Sequence, residues 1–260
     1  MSAAETTSVA PGAAATLTLR IRRQASPTAQ PCWEGFSLPQ RAGLTIAACL
    51  AELSEGSQPA NSAGAALEWG GPCVGECHGA CALLVNGQPV TACGTRIDAL
   101  AAGQITLEPL SKFVVIRDLV VDREPFEGAI RALELGADSN APAGEPLAAI
   151  PTREGDPLAV ALSRCTRCGI CMEACPQINE RSDYAGPAVM AHVLVFNARP
   201  DGRSRASERL RAIMGRGGLA DCGNAQNCVE VCPFGVPLVD ALRELGHQTT
   251  ALWFGRTLKR

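Results

Sequence analysis

The chain has 260 residues and a formal net charge of -3 at pH 7, with 19% charged and only 4% aromatic residues. A length of this order holds one large domain or two small ones, with two expected, and a slightly acidic chain poor in aromatics speaks against nucleic acid as a partner. No run reaches the ~20 apolar residues of a membrane-spanning helix, and residues 1–15 lack the basic stretch and apolar core of an export signal; the expected place is the cytoplasm, or its face of a membrane if a partner holds the chain there.

Residues 1–15, rich in Ala, Thr, Ser and Gly, read as a flexible tail. Period-two alternation over 16–22 and a second strand candidate over 32–38, with a Pro-Gln-Arg-Ala-Gly turn after it, predict two strands of a hairpin. Helical spacing follows at 44–53, then a loop rich in Gly, Ser, Asn and Pro. Two short strands are predicted at 82–85 and 88–91 around Asn86-Gly87, the second at a sheet edge because of Pro89, and 106–109 closes a small mixed sheet. The apolar segment 113–122 leads to a helix at 127–135. Beyond an Ala/Pro/Gly-rich linker at 137–157 the pattern is helical, over 157–163, 186–196, 204–214 and 237–245, with no strand predicted. The division expected is a tail at 1–15, a mixed β domain at 16–115, an interdomain segment at 116–155 and a helical domain at 156–260.

Thirteen cysteines are the departure from ordinary composition. A chain with its own core needs no disulfide scaffold, so metal is the first reading and spacing decides which metal. Cys165, Cys168, Cys171 and Cys175, followed by Pro176, match the bacterial C-x2-C-x2-C-x3-C-P run, whose first three thiolates wrap one cubane cluster while the fourth reaches a neighbouring one. Counting back from Cys232-Pro233 on the same template finds Cys228 and Cys222, but Ala225 where the second thiolate belongs. A methyl group offers no lone pair, and a three-iron cluster needs only three thiolates. The crossing rule therefore assigns Cys165, Cys168, Cys171 and Cys232 to a 4Fe-4S cluster and Cys175, Cys222 and Cys228 to a 3Fe-4S cluster. Zinc and disulfides are the bland alternatives, disfavoured by the tight triple spacing and the trailing prolines.

In the first half Cys73, Cys77, Cys81 and Cys93 are spaced C-x3-C-x3-C-x11-C, against the plant-type C-x4-C-x2-C pattern of 2Fe-2S sites. Cys73, Cys81 and Cys93 fall where the pattern wants them, but its second ligand falls on His78, with Cys77 one residue early. Either the loop shifts so that Cys77 binds, which is favoured because thiolate suits ferric iron, or His78 binds through a ring nitrogen and raises the potential. Cys32 and Cys49 are expected to be buried packing residues. His192 and His247 read as ordinary helix residues, and Arg203, Arg205, Arg209, Arg211 and Arg216 as a solvated face.

A 2Fe-2S domain followed by a helical domain with one 4Fe-4S and one 3Fe-4S cluster resembles the family of iron-sulfur subunits of succinate dehydrogenase and fumarate reductase. The resemblance spans 17–255 and is carried most by SRCTRCGICMEACPQINERSDYAGPAVMAHVLVFNARP at 163–200 and GGLADCGNAQNCVEVCPFGVPL at 217–238. It is closest to the branch with dihaem anchors and menaquinone. The resemblance implies an α+β chain: an N-terminal β-grasp 2Fe-2S ferredoxin-like domain, then an all-helical ferredoxin domain. It also implies electrons received from the FAD of a flavoprotein subunit and passed singly, in the order 2Fe-2S, 4Fe-4S, 3Fe-4S, to a quinone at a membrane anchor such as a cytochrome b. The chain itself would carry out no substrate chemistry and would sit peripherally on the cytoplasmic face of the membrane. Gly223 stands where the ubiquinone-reducing branch has a histidine, and 177–182 lacks that branch's tryptophans, so no quinone-binding residue is assigned. The rival reading, an iron-sulfur subunit of another flavoprotein oxidoreductase complex, fits less well because such subunits usually carry two complete four-cysteine runs.

Overall fold

Alternation over Thr16–Arg23 turns Leu17, Leu19 and Ile21 to one face of a strand, β1, and all three are buried. The computed structural model describes residues 16–56, 66–73, 79–100, 103–135, 156–200 and 202–255. Strand β2 (Cys32–Pro39) pairs antiparallel with β1, placing Phe36 opposite Leu19 and Leu38 opposite Leu17. Helix α1 (Ile46–Gly56) buries Ile46, Cys49, Leu50 and Leu53, one helical face, against the same apolar cluster.

Strands β3 (Ala82–Val85) and β4 (Gln88–Thr91) form a hairpin closed by Asn86 and Gly87 at φ 49° and 77°, the left-handed pair that a tight two-residue turn needs. Strand β5 (Ile105–Glu108) lies parallel to β1 and antiparallel to β3, so the sheet order is β2-β1-β5-β3-β4 with the proline strand at an edge. The segment read only as apolar at 113–122 is a second hairpin, β6 (Val114–Arg117) with β7 (Val120–Asp122).

Asp118, at the turn of that hairpin with φ 47°, is buried and ties three segments together. Its carboxylate accepts from the backbone N–H of Gln24 and of Glu68, both at 3.0 Å, and lies 3.0 Å from Nε of Arg23, which also pairs with Glu34 at 2.5 Å.

The other half contains helices α2 (Glu124–Leu135), α3 (Pro157–Leu162), α4 (Ile170–Ala174), α5 (Pro187–Ala198), α6 (Ala206–Ala212), α7 (Asn227–Glu230) and α8 (Leu238–Trp253). No strand occurs beyond Asp122 among the described residues. Helix α5 is buried on every side over 187–197, as its unbroken apolar sequence demands, and α2, α3, α6 and α8 pack around it. Helix α8 runs eight residues past the end expected at 245. Gly246 costs about 1 kcal/mol inside a helix, but Leu245 and Thr249 are buried on either side of it and Leu252 packs on the core.

Two expectations fail here. Cys49 is buried as expected, but Cys32 is exposed, because it opens the edge strand β2 opposite Arg23, outside the core. Arg209 is no member of a solvated face: it is 5% exposed, and its guanidinium donates to the carbonyls of Leu133 (2.5 Å) and Gly202 (2.7 Å) and to Oδ1 of Asn197 (3.0 Å), over the ring of Phe196. Position in a basic run says nothing about this, since the carbonyls that recruit Arg209 come from the last turn of α2 and from the turn between α5 and α6. His192 is a buried helix residue, its Nδ1 2.7 Å from the Ala188 carbonyl, and His247 is exposed on α8.

Replacing Asp118 by Ala removes two hydrogen bonds to part-buried backbone and one of the two carboxylate partners of Arg23. The substitution is expected to lower unfolding stability by about 2–4 kcal/mol in urea titration; a change within about 0.5 kcal/mol, ordinary for surface sites, would refute this role.

Candidate metal centres

The β3–β4 hairpin brings Cys81, just before β3, beside Cys93, just after β4: the N–H of Ala92 bonds to the Cys81 carbonyl at 3.0 Å. The loop before β3 returns Cys73 to the same point. Sulfur-to-sulfur distances are 3.6 Å for Cys73–Cys81 and 3.5 Å for Cys81–Cys93, and all three thiols lie within 4.8 Å of one another. Three of the sulfurs singled out by spacing therefore converge. Cys77 and His78, the two candidates for the fourth ligand, lie outside the described residues.

In the helical half the two cysteine runs take up one backbone conformation twice. Arg167 and Asn224 are left-handed at φ 56° and 50°, and so are Gly169 and Gln226 at φ 84° and 64°, each of the latter pair capping the short helix that follows, α4 or α7. Position by position, Cys165 corresponds to Cys222, Cys171 to Cys228 and Cys175 to Cys232. Cys168 corresponds to Ala225. The second loop keeps its strained turn, at a non-glycine residue where left-handed backbone is unfavourable, although one thiol is gone.

The thiols sort into two groups around two small cavities, each outlining about 350 Å³ of space that is partly open to solvent. Cys165, Cys168, Cys171 and Cys232 line one; Cys175, Cys222 and Cys228 line the other, with Ala225 in its wall. Each run thus lends its last cysteine to the other run's cavity. A larger cleft, about 1070 Å³ by the same measure, lies between α2, α5 and α6; it contains no cysteine and belongs to neither group.

The donor set suits iron-sulfur clusters on three counts. Soft thiolates surround both cavities. Backbone N–H groups face the sulfurs: Val236 donates to Cys232 Sγ at 3.4 Å, and the amides of Arg167 and Ile170 bear on Cys165 and Cys168. Each cavity also has a buried hydroxyl that finds no nitrogen or oxygen partner and faces a cysteine sulfur, Thr166 Oγ1 beside Cys168 and the Tyr184 hydroxyl beside Cys222. Without metal, burial pushes the Cys165 thiol up to about 11, the fully enclosed Cys171 well above the ordinary range, and Cys168 and Cys228 upward as well. Neighbouring thiols add to the rise, since several thiolates cannot share one small space without a cation to hold them.

The two halves touch at these loops. Gly79, with φ 72°, lies so close to Cys168 that a Cβ built on it would sit 2.5 Å from the Cβ of Cys168. The Arg123 guanidinium donates to the Gly79 carbonyl at 3.0 Å. Glu173 of α4, buried, accepts from Ser111 Oγ at 2.5 Å and from the Lys112 N–H at 3.0 Å, and the Lys112 ammonium donates to the Cys175 carbonyl. Ala82, Leu84, Leu110, Cys168 and Ile170 form a small apolar cluster shared by both halves.

A cysteine-lined sheet domain abutting a helical domain with two cysteine-lined cavities defines an iron-sulfur electron-transfer protein. Residues 18–128 match the family of 2Fe-2S iron-sulfur cluster binding domains and 161–236 the 4Fe-4S dicluster domain. The chain is 38% identical to the succinate dehydrogenase iron-sulfur subunit of Bacillus subtilis, covering 90% of this chain and 92% of that one. It is 27% identical to the fumarate reductase iron-sulfur subunit of Wolinella succinogenes, covering 91% and 98%. A chain of the Mycobacterium smegmatis Sdh1 complex in the apo form shares the fold, with a TM-score of 0.70 at 22% identity over 93% of this chain and 98% of that one. The chain belongs to the family of iron-sulfur subunits of succinate dehydrogenase and fumarate reductase, and it transfers electrons within such a complex. No helix among the described residues is long and apolar enough to cross a membrane.

The raised thiols give the metal-free chain a pH dependence. Its folded state keeps the Cys165 proton up to about 11, whereas the unfolded chain releases it near the ordinary 9.0. Between those values the unfolded state binds fewer protons, so stability falls as pH rises. Cys49, raised to about 11 by burial, contributes in the same direction whether or not metal is bound. The urea midpoint of the metal-free, reduced chain is therefore expected to fall more steeply from about pH 8 to about pH 10 than that of the loaded chain, whose ligating thiols have already lost their protons. Equal slopes would contradict the assignment of these thiols as ligands.

Proposed function

We propose that Cys73, Cys81 and Cys93 with Cys77, or His78 in its place, hold a 2Fe-2S cluster, that Cys165, Cys168, Cys171 and Cys232 hold a 4Fe-4S cluster, and that Cys175, Cys222 and Cys228 hold a 3Fe-4S cluster. When bound, these groups supply three one-electron carriers, in that order, between the FAD of a flavoprotein subunit and a quinone at a membrane anchor of the cytochrome b kind. The chain is non-catalytic: its residues fix the spacing and environment of the carriers, and the substrate is handled by the flavoprotein. It sits peripherally on the cytoplasmic face of the membrane, held there by its partner subunits. The domains run 16–115 and 156–260, joined by 116–155.

The observation that supports this reading most is the four-to-three division of thiols around the two helical cavities, with Ala225 occupying the place of the missing thiolate. The chain's own residues do three things there. Thiolates bind and charge-balance whatever iron is held, and amide N–H groups donate to the ligating sulfurs. Apolar neighbours such as Ala188, Phe234 and Val236 around one cavity, and Val239 and Leu242 around the other, keep water away. Gly79 and Arg123 hold the sheet domain's cysteine loop against Cys168, which shortens the crossing between halves.

Two measurements check this. Paramagnetic resonance of the oxidised full chain is expected to show a three-iron signal; Ala225→Cys is expected to abolish it and to raise the iron content by one per chain, because the added thiolate completes a four-iron site. No such signal in the unsubstituted chain, with iron matching two four-iron clusters, would overturn the reading. Gly79→Ala places a methyl group against Cys168 and is expected to slow electron passage from the sheet domain to the helical domain several-fold at unchanged iron content, measured by rapid-freeze paramagnetic resonance. An unchanged rate would show that the contact is not the crossing.

A further inference from the structure

Tyr184 is the one tyrosine in the chain. It precedes α5, its N–H bonds to Ser182 Oγ at 3.1 Å, and its ring is 4% exposed within the core of the helical half. It lines the three-cysteine cavity beside Cys175, Cys222, Ala225 and Cys228. Its hydroxyl is buried and finds no nitrogen or oxygen partner; the groups that bear on it are the thiols of Cys222, Cys175 and Cys228, with Cys222 in hydrogen-bonding reach.

A buried O–H left unpaired is unfavourable, because nothing replaces the hydrogen bond it made to water. A neutral thiol is a weak acceptor, whereas a thiolate carrying negative charge is a strong one. The other cavity repeats the arrangement with a different residue: Thr166 Oγ1 is equally buried, finds no nitrogen or oxygen partner, and faces the Cys168 sulfur. In the backbone repeat Thr166 corresponds to Gly223, which has no side chain to offer. The second cavity thus receives a hydroxyl from another element, the turn before α5.

We propose that Tyr184 tunes the three-cysteine centre: its O–H donates to the Cys222 thiolate and stabilises the more negative, reduced state of the cluster bound there, raising its potential relative to the same site without the hydroxyl. This rests on the reading that Cys175, Cys222 and Cys228 hold the three-iron cluster. Hydrogen bonds to cluster sulfurs and ligands are among the factors that set such potentials.

The test is a potentiometric titration of the oxidised three-iron signal in the full chain within its complex. Tyr184→Phe keeps the ring and removes the donor; it is expected to lower the midpoint of that centre alone, at unchanged signal amplitude and with the other two centres unmoved. Because the chain has a single tyrosine, fluorotyrosine incorporated into the full chain alters this one hydroxyl into a stronger donor and is expected to raise the same midpoint. A signal that titrates unchanged in both proteins overturns the inference. If Tyr184→Phe fails to retain the cluster, the fluorotyrosine chain decides: a raised midpoint supports the role and an unmoved one refutes it. Absence of the signal from the unsubstituted chain instead overturns the three-iron reading, and this inference with it.

Discussion

Thiolates enclosed together repel one another and lack water, and only a metal centre makes that arrangement favourable. The helical half is organised around this constraint. Its core cluster includes Cys171, Cys175 and Cys228 among the aliphatic side chains of α5 and α8, so the walls of the cavities and the hydrophobic core are one surface. The helices between the cysteines, α4 and α7, span only five and four residues. Elements so short do not stand by intrinsic helix stability; they are held by neighbours and, once loaded, by the clusters they ligate. Metal binding and folding are then coupled steps for this half of the chain.

The sheet half has its own core between α1 and the five-stranded sheet, and the two halves meet where the redox centres are, not at a remote hinge. Gly79 against Cys168, Arg123 on the Gly79 carbonyl, and Glu173 on Ser111 and Lys112 lock the cysteine loops together. For a protein whose task is to pass electrons along a line, a rigid contact at the loops serves the function directly, since the spacing of carriers is the quantity the protein controls.

Much of this was legible in the sequence because the relevant signals are local. Alternation located β1, Asn86-Gly87 located the β3–β4 hairpin, Pro89 placed β4 at an edge, and the C-x2-C-x2-C-x3-C-P spacing with Ala225 divides the cysteines into the same two sets that line the two cavities. What escaped was set by tertiary contact. The exposure of Cys32 follows from its place at the start of an outer strand, and the burial of Arg209 from the Leu133 carbonyl of the distant α2 and the Gly202 carbonyl of the turn before α6. The touching of Gly79 and Cys168 has no local signature, because either residue alone looks like an ordinary part of its loop. Tyr184 could have been suspected from being the lone tyrosine beside the first run, but only the cavity shows where its hydroxyl goes. The choice between Cys77 and His78 turns on a one-residue shift in a loop, which spacing leaves open.

The division of seven thiols into a set of four and a set of three is the claim on which the rest stands. The most direct measurement is iron anomalous diffraction from crystals of the complex. Two iron centres are expected in the helical half: one contacted by Cys165, Cys168, Cys171 and Cys232, the other by Cys175, Cys222 and Cys228 with the Ala225 corner bare. Iron bridging the two sets differently, or a complete fourth corner at Ala225 filled by another ligand, would contradict it.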